Sequence, residues 1–144
     1  LDIKVLYHSR TGNTKKVADA IAHSLNQAAE KIPPVYPLEN IKLLFLGCGV
    51  YMGKIDNKVK EFVAGLDGSK VRSIALFGTC GEQDTAAQIQ TIKDLLEGKG
   101  INIINESYVC KGRTFIFFNR EHPSREDLKS AQDFVRRVVE KIRD

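Results

Sequence analysis

Three hydroxyl-bearing residues and a glycine crowd into Ser9-Arg10-Thr11-Gly12-Asn13-Thr14, directly after an apolar run and directly before a segment with helical periodicity. A helix start offers backbone N–H groups with no carbonyl to receive them. Together with a tight glycine turn and short hydroxyl side chains, these make a concave nest for a phosphate. The stretch lacks the lysine of the G-x-x-x-x-G-K-[ST] triphosphate loop and the three spaced glycines of the dinucleotide fingerprint. The chemistry it suits best is the grip of a monophosphate by amides and hydroxyls. The plainer reading is an ordinary strand-to-helix turn with Thr14 as N-cap, and what favours the phosphate is the position of the loop between the first strand and the first helix. Arg10 either reaches that phosphate or lies in solvent; solvent is the expectation, because backbone nests bind phosphate without a cation.

The elements that must position this loop are legible as periodicities. Short runs rich in β-branched and aromatic residues predict strands at Ile3 to Tyr7, Val35 to Leu38, Leu43 to Leu46, Ser73 to Phe77 and Ile101 to Val109, with Pro33 and Pro34 breaking the chain before the second. Between and after them run four stripes with helical spacing. The first is Val17, Ala18, Ile21 and Leu25; the second Val59, Phe62, Val63 and Leu66. The third is Ile89, Ile92, Leu95 and Leu96, and the fourth Leu128, Ala131, Phe134, Val135, Val138 and Ile142. Thr14, Asp56 and Ser124 are the expected N-caps, and Gly65, Gly68, Gly98 and Gly100 stand where helices should stop. Alternating strands and helices with continuously apolar strands predict a doubly wound α/β/α sandwich on a five-stranded parallel sheet. Ligands of such folds bind beyond the carboxyl ends of the strands, where the winding reverses.

The stretch V-L-Y-H-S-R-T-G-N-T-K-K-V-A-D-A-I, Val5 to Ile21, resembles the N-terminal signature of the flavodoxin family, and a coarser likeness extends over nearly the whole chain. The resemblance implies a strand order of 2-1-3-4-5 and one non-covalent flavin mononucleotide (FMN). Its phosphate would be held by the amides of residues 10 to 14 and the hydroxyls of Ser9, Thr11 and Thr14, with Gly12 and Asn13 in the same turn. A second flavin loop would follow the third strand, at Cys48, Gly49, Val50, Tyr51, Met52 and Gly53. Met52 or Tyr51 would lie against the ring and Gly53 near the flavin N5; the alternative is that both side chains pack on the second helix. The third loop, Thr79, Cys80 and Gly81, would face the pyrimidine edge. This chain departs from the family pattern there, since no Tyr or Trp occurs between Phe77 and the next helix to cover the outer ring face. The run Phe115 to Phe118 is expected to be an extra core strand, with a lid or a partner patch as alternatives.

The implied role is a carrier shuttling electrons between redox partners. The competing role is an FMN-dependent oxidoreductase acting directly on a quinone, a tetrapyrrole or another small acceptor, which an open ring face would favour. A non-redox module that has lost the flavin is a further alternative. No catalytic triad and no metal-ligand spacing are apparent, and His8, His23 and His122 read as structural or surface residues. With 144 residues the chain fits one domain, residues 1–144, expected to be monomeric. The three cysteines, Cys48, Cys80 and Cys110, follow strand ends with no CxxC spacing, which fits buried thiols in a reducing cytoplasm better than a disulfide scaffold. Neither a membrane span nor a nucleic-acid motif is visible. A net charge of +4 points to partners with acidic faces, where flavodoxins are usually acidic.

Overall fold

In the computed structural model, residues 2–51, 54–80, 86–111 and 123–143 are described. The elements run β1 (Ile3–His8), α1 (Asn13–Ser24), β2 (Glu30–Lys31), β3 (Ile41–Tyr51), β4 (Lys54–Ile55), α2 (Asn57–Ala64), β5 (Val71–Cys80), α3 (Ala86–Leu96), β6 (Asn102–Ile103), β7 (Tyr108–Lys111) and α4 (Arg125–Arg143). The sheet order is β2-β1-β3-β5-β6, with β7 also on β5. Those pairings are parallel, as expected, and the fifth position of the sheet is shared by β6 and β7. A short antiparallel strand, β4, folds back on the end of β3 through Val50 with Ile55 and Tyr51 with Lys54.

The apolar runs explain the centre. β1, β3 and β5 are covered on both faces, so their side chains divide between two cores. One core holds Leu44, Leu46, Val59, Val63, Leu76 and Ile92 beneath α2 and α3. The other holds Phe45, Phe77, Val17, Ile21, Phe134 and Val138 beneath α1 and α4. Phe134 anchors α4, edge-on to Phe45 with centroids 6.0 Å apart and stacked on Tyr108 at 5.9 Å. Such pairs add about 0.5–1.5 kcal/mol each to the burial itself. Ser124 caps α4 as expected: its Oγ accepts from Asp127 N–H at 3.1 Å, and Asp127 accepts from Ser124 N–H at 2.7 Å. Asp56 caps α2 by accepting from Lys58 N–H at 2.8 Å. Gly98 and Gly100, beyond α3, have φ of +79° and +77°, a backbone that glycine adopts at little cost.

Two strand expectations are corrected. The second strand is Glu30–Lys31, ahead of Pro33 and Pro34, and Val35 to Leu38 is not a strand; Val35 is fully exposed. A two-residue edge strand needs only backbone pairing, so it carries no apolar signature. The predicted fifth strand, Ile101 to Val109, is interrupted, since Ile104, Asn105, Glu106 and Ser107 separate β6 from β7. Glu106 accepts from Arg137 Nε and from Lys141 Nζ (3.3 Å) on α4, so this interruption is tied to the helix. Burial alone would raise the Glu106 carboxyl, but these two cations outweigh it and hold it below the usual range. At the other edge, Gln27 Nε2 donates to the Ile3 carbonyl at 2.9 Å. Phe115 to Phe118 lies outside the described residues.

Gly47 shows how tightly β3 and β5 approach. A Cβ at Gly47 would stand 2.1 Å from the Phe77 ring on the neighbouring strand. Gly47→Ala should therefore destabilise the chain by about 1–3 kcal/mol in urea unfolding. In Gly47→Ala/Phe77→Leu part of that loss should return, so that the two substitutions cost less together than the sum of their separate effects. Strict additivity would show that the two residues do not compete for one space.

Candidate functional site

The chain leaves β2 beside β1 and re-enters the sheet on the opposite side of β1 as β3, so the winding reverses between these two strands. Beyond their carboxyl ends lie the loops that the sequence singles out, joined by the end of β5. Gly12 is the residue on which the first loop turns. Its φ of 92° and ψ of −6° are left-handed, a conformation costing a side-chain-bearing residue about 1–2 kcal/mol, and a Cβ there would meet nothing within 4 Å. Gly12, not Thr14, occupies the N-cap position of α1, which corrects the expectation that Thr14 caps this helix.

Each hydroxyl of the loop has a definite use. Ser9 Oγ accepts from Gly12 N–H at 2.9 Å, closing the turn. Thr11 Oγ1 accepts from Asn13 Nδ2 at 3.2 Å; Thr11 is exposed and Asn13 is buried. Thr14 is fully buried and its Oγ1 lies 2.7 Å from Oγ1 of buried Thr79, across 65 residues of sequence. This hydroxyl pair fastens the start of α1 to the end of β5. The backbone bonding of the helix opens with Lys16 N–H donating to the Gly12 carbonyl at 3.1 Å. The amides of Thr14 and Lys15 precede it and have no carbonyl a turn earlier inside the helix, which leaves them suited to an anion.

The second loop begins where β3 ends. Gly49 registers against Thr79 and Cys48 against Gly78, so the ends of β3 and β5 lie side by side. Gly78 lets them do so, because a Cβ there would stand 2.8 Å from the Cys48 carbonyl. Val50 is buried, and Tyr51 and Lys54 pair across β3 and β4. Met52 and Gly53, like Gly81 of the third loop, lie outside the described residues. Thr79 and Cys80 close β5.

His8 sits at the end of β1 with Nε2 3.9 Å from Asp56 Oδ2, and its buried Nδ1 has no hydrogen-bond partner among the described residues. The Asp56 carboxyl is held below its usual range by the Lys58 amide first, with His8 and exposed Arg10 adding their charge. This His8–Asp56 pairing, together with the Thr14–Thr79 bond, is what sequence spacing alone does not signal.

The three cysteines do not form one cluster. Cys48 belongs to the core under α2 and α3, Cys110 to the core under α1 and α4, and Cys80 is half-buried at the end of β5. Burial pushes the Cys48 thiol up to about 12, and burial is also the main reason the Cys110 thiol rises to about 12. No disulfide joins the three.

A family model described as a flavodoxin domain matches residues 4–118, and the chain belongs to that family. It is 34% identical over 118 residues to the flavodoxin-like domain-containing protein BilS of Clostridioides difficile, a match covering 76% of this chain and 65% of BilS. It is 29% identical to an uncharacterized protein of Methanocaldococcus jannaschii over 94% of both chains. A solved flavodoxin from the domain Archaea superposes with a TM-score of 0.74 at 20% identity, over 100% of each chain, which establishes the shared fold. Among the described residues, no helix is long and apolar enough to cross a membrane.

Two measurements check this geometry. Thr14→Val should leave Thr79 with an unpaired buried hydroxyl and cost about 1–3 kcal/mol in urea unfolding. Thr14→Val/Thr79→Val should recover part of it, whereas two independent, fully additive losses would show that the hydroxyls do not act as a pair. In the native protein a thiol reagent at pH 8 should modify Cys80 well before Cys48 and Cys110, as read by peptide mass mapping. Equal rates at all three would contradict the separate burial of the other two.

Proposed function

We propose that this chain binds one FMN non-covalently at the switch point and shuttles electrons between redox partners. The observation that carries the reading is the β1–α1 loop, whose left-handed Gly12 and closing Ser9 hydroxyl leave helix-start amides for an anion. This donor set fits a phosphate monoester: its members are amides and hydroxyls, and the space beside Gly12 is open. Membership of the flavodoxin domain family supports the same ligand.

In this reading the other amides of residues 10 to 14, with Ser9 and Thr11, hold the phosphate, while the Gly12 amide closes the turn on Ser9 Oγ. Thr14 acts by fixing the helix start to Thr79, since its hydroxyl is already engaged there. The backbone of Cys48, Gly49, Val50 and Tyr51, with Met52 and Gly53, forms one wall for the ring, and Thr79, Cys80 and Gly81 face its polar edge. The side chain of Cys48 is sealed in the core and contributes packing only. When bound, FMN supplies the electron chemistry; the protein supplies position and a local field. Exposed Arg10, Lys16, Lys54 and Lys58 surround the same loops and favour a partner with an acidic face. Residues 1–144 act as one unit in the cytoplasm in this reading.

Fluorescence titration of the colourless protein with FMN and with riboflavin separates grip on the phosphate from grip on the ring. FMN should bind at micromolar concentrations or below and riboflavin at least about tenfold more weakly, the equivalent of one charge-assisted hydrogen bond. Ser9→Ala should weaken FMN about tenfold and leave riboflavin unchanged. Failure to take up FMN at micromolar concentrations would overturn the proposal, and equal loss of both ligands in Ser9→Ala would remove the phosphate role of the loop. Oxidation of NADH by the flavin-loaded protein alone, with a quinone as acceptor, would replace the carrier by an enzyme.

A further inference from the structure

The opposite end of the sheet carries a cleft that the flavodoxin reading does not use. It has a volume of about 370 Å³ and is lined by Lys42, Arg72, Ser73, Asn102, Ile104, Lys141 and Ile142. Lys42 and Arg72 stand at the starts of β3 and β5, Asn102 opens β6, and Lys141 and Ile142 close α4. Since these strands are parallel, their starts gather at one end and the flavin loops at the other. Seven residue steps along β5 separate Arg72 from Thr79, a span of about 23 Å at strand rise.

Among the described residues, the lining contains no carboxylate. Among the described residues, Lys42 and Arg72 have no ion-pair partner, although both are exposed beside one another at adjacent strand starts. Lys141 is shared with Glu106, but Glu106 is also held by Arg137, so that group still leaves one positive charge over. Lys42 and Arg72 bring one each. This surplus of three opposes the repulsion that the carbonyls at the end of α4 exert on an anion. Ser73 Oγ accepts from Asn102 Nδ2 at 3.2 Å, which leaves the Ser73 O–H and the second Asn102 N–H as donors. Ile104 and Ile142 give the cleft an apolar side.

We propose that this cleft binds a small phosphorylated ligand carrying at least two negative charges, with its less polar part against Ile104 and Ile142. A fork-shaped guanidinium, an ammonium and two neutral donors match the several oxygens of a phosphate or pyrophosphate group. The site stands beyond a Debye length from the flavin loops, so it binds its ligand independently of them.

The test is a residue-resolved NMR titration of the full ¹⁵N-labelled, FMN-loaded chain with sodium pyrophosphate at constant ionic strength, with sodium sulfate in a parallel arm. Saturable shifts are expected at the amides of Lys42, Arg72, Ser73, Asn102 and Lys141, with sulfate at least about fivefold weaker because it offers fewer charges and oxygens. Lys42→Gln/Arg72→Gln should weaken pyrophosphate at least about tenfold at unchanged Tm. If that double variant loses stability, Arg72→Lys serves instead, and a severalfold loss is expected because the charge remains while the fork is gone. Non-saturating shifts, an equal response to sulfate, or full affinity in the variants would overturn the proposal. So would shifts confined to residues 9–16, which would report the flavin loop and not this cleft. Should the chain take up no FMN, the same titration of the colourless protein still reads the two ends of the sheet separately.

Discussion

Strands that all run one way cannot be joined by tight turns; each must be followed by a crossover that returns the chain over a face of the sheet. That constraint orders the rest of this protein. Helices α1 and α4 cover one face and α2 and α3 the other, so β1, β3 and β5 are enclosed and largely apolar. It also sorts the polar chemistry to the two ends. Strand starts and helix ends gather at one, strand ends and helix starts at the other, and the two ends acquire different electrostatic character without any dedicated design.

At the carboxyl end, the buried hydroxyl pair of Thr14 and Thr79 resolves a difficulty of such sites. A loop that is to hold an anion must keep polar groups ready while resting on an apolar core. Thr14 and Thr79 satisfy each other at 2.7 Å, so the helix start is fixed without an unpaired buried hydroxyl on either side. Glycines complete the arrangement for two different reasons. Gly12 is required by a backbone conformation, and Gly78 by the nearness of the Cys48 carbonyl.

What the sequence discloses follows from where free energy is local. β1, β3 and β5 are legible because burial on both faces demands runs such as Leu43 to Leu46, and the β1–α1 loop because its residue types are adjacent in the chain. Edge elements are not legible in this way. β2 is Glu30 and Lys31, which no propensity would select, while Val35 to Leu38 has the composition of a strand and lies outside the sheet. Thr14 looks like an N-cap by type, yet Gly12 takes that place because the turn needs a left-handed residue and the threonine hydroxyl is drawn to Thr79. The Glu106 contacts to Arg137 and Lys141 join residues 31 and 35 positions apart, and the cleft at the strand starts is assembled from four elements. Contacts of that kind have no spacing to read.

The side-chain amide of Gln27 on the Ile3 carbonyl bears on how this molecule behaves when crowded. A sheet border with unspent acceptors invites a strand from a neighbouring molecule, the first step toward swapped dimers and fibrils. Here β2 occupies only two positions along β1, and beyond them a side chain has already consumed a carbonyl that an intruder would need. An incoming strand would have to evict Gln27 before it could zip up, and along β2 it would meet the charged pair Glu30 and Lys31.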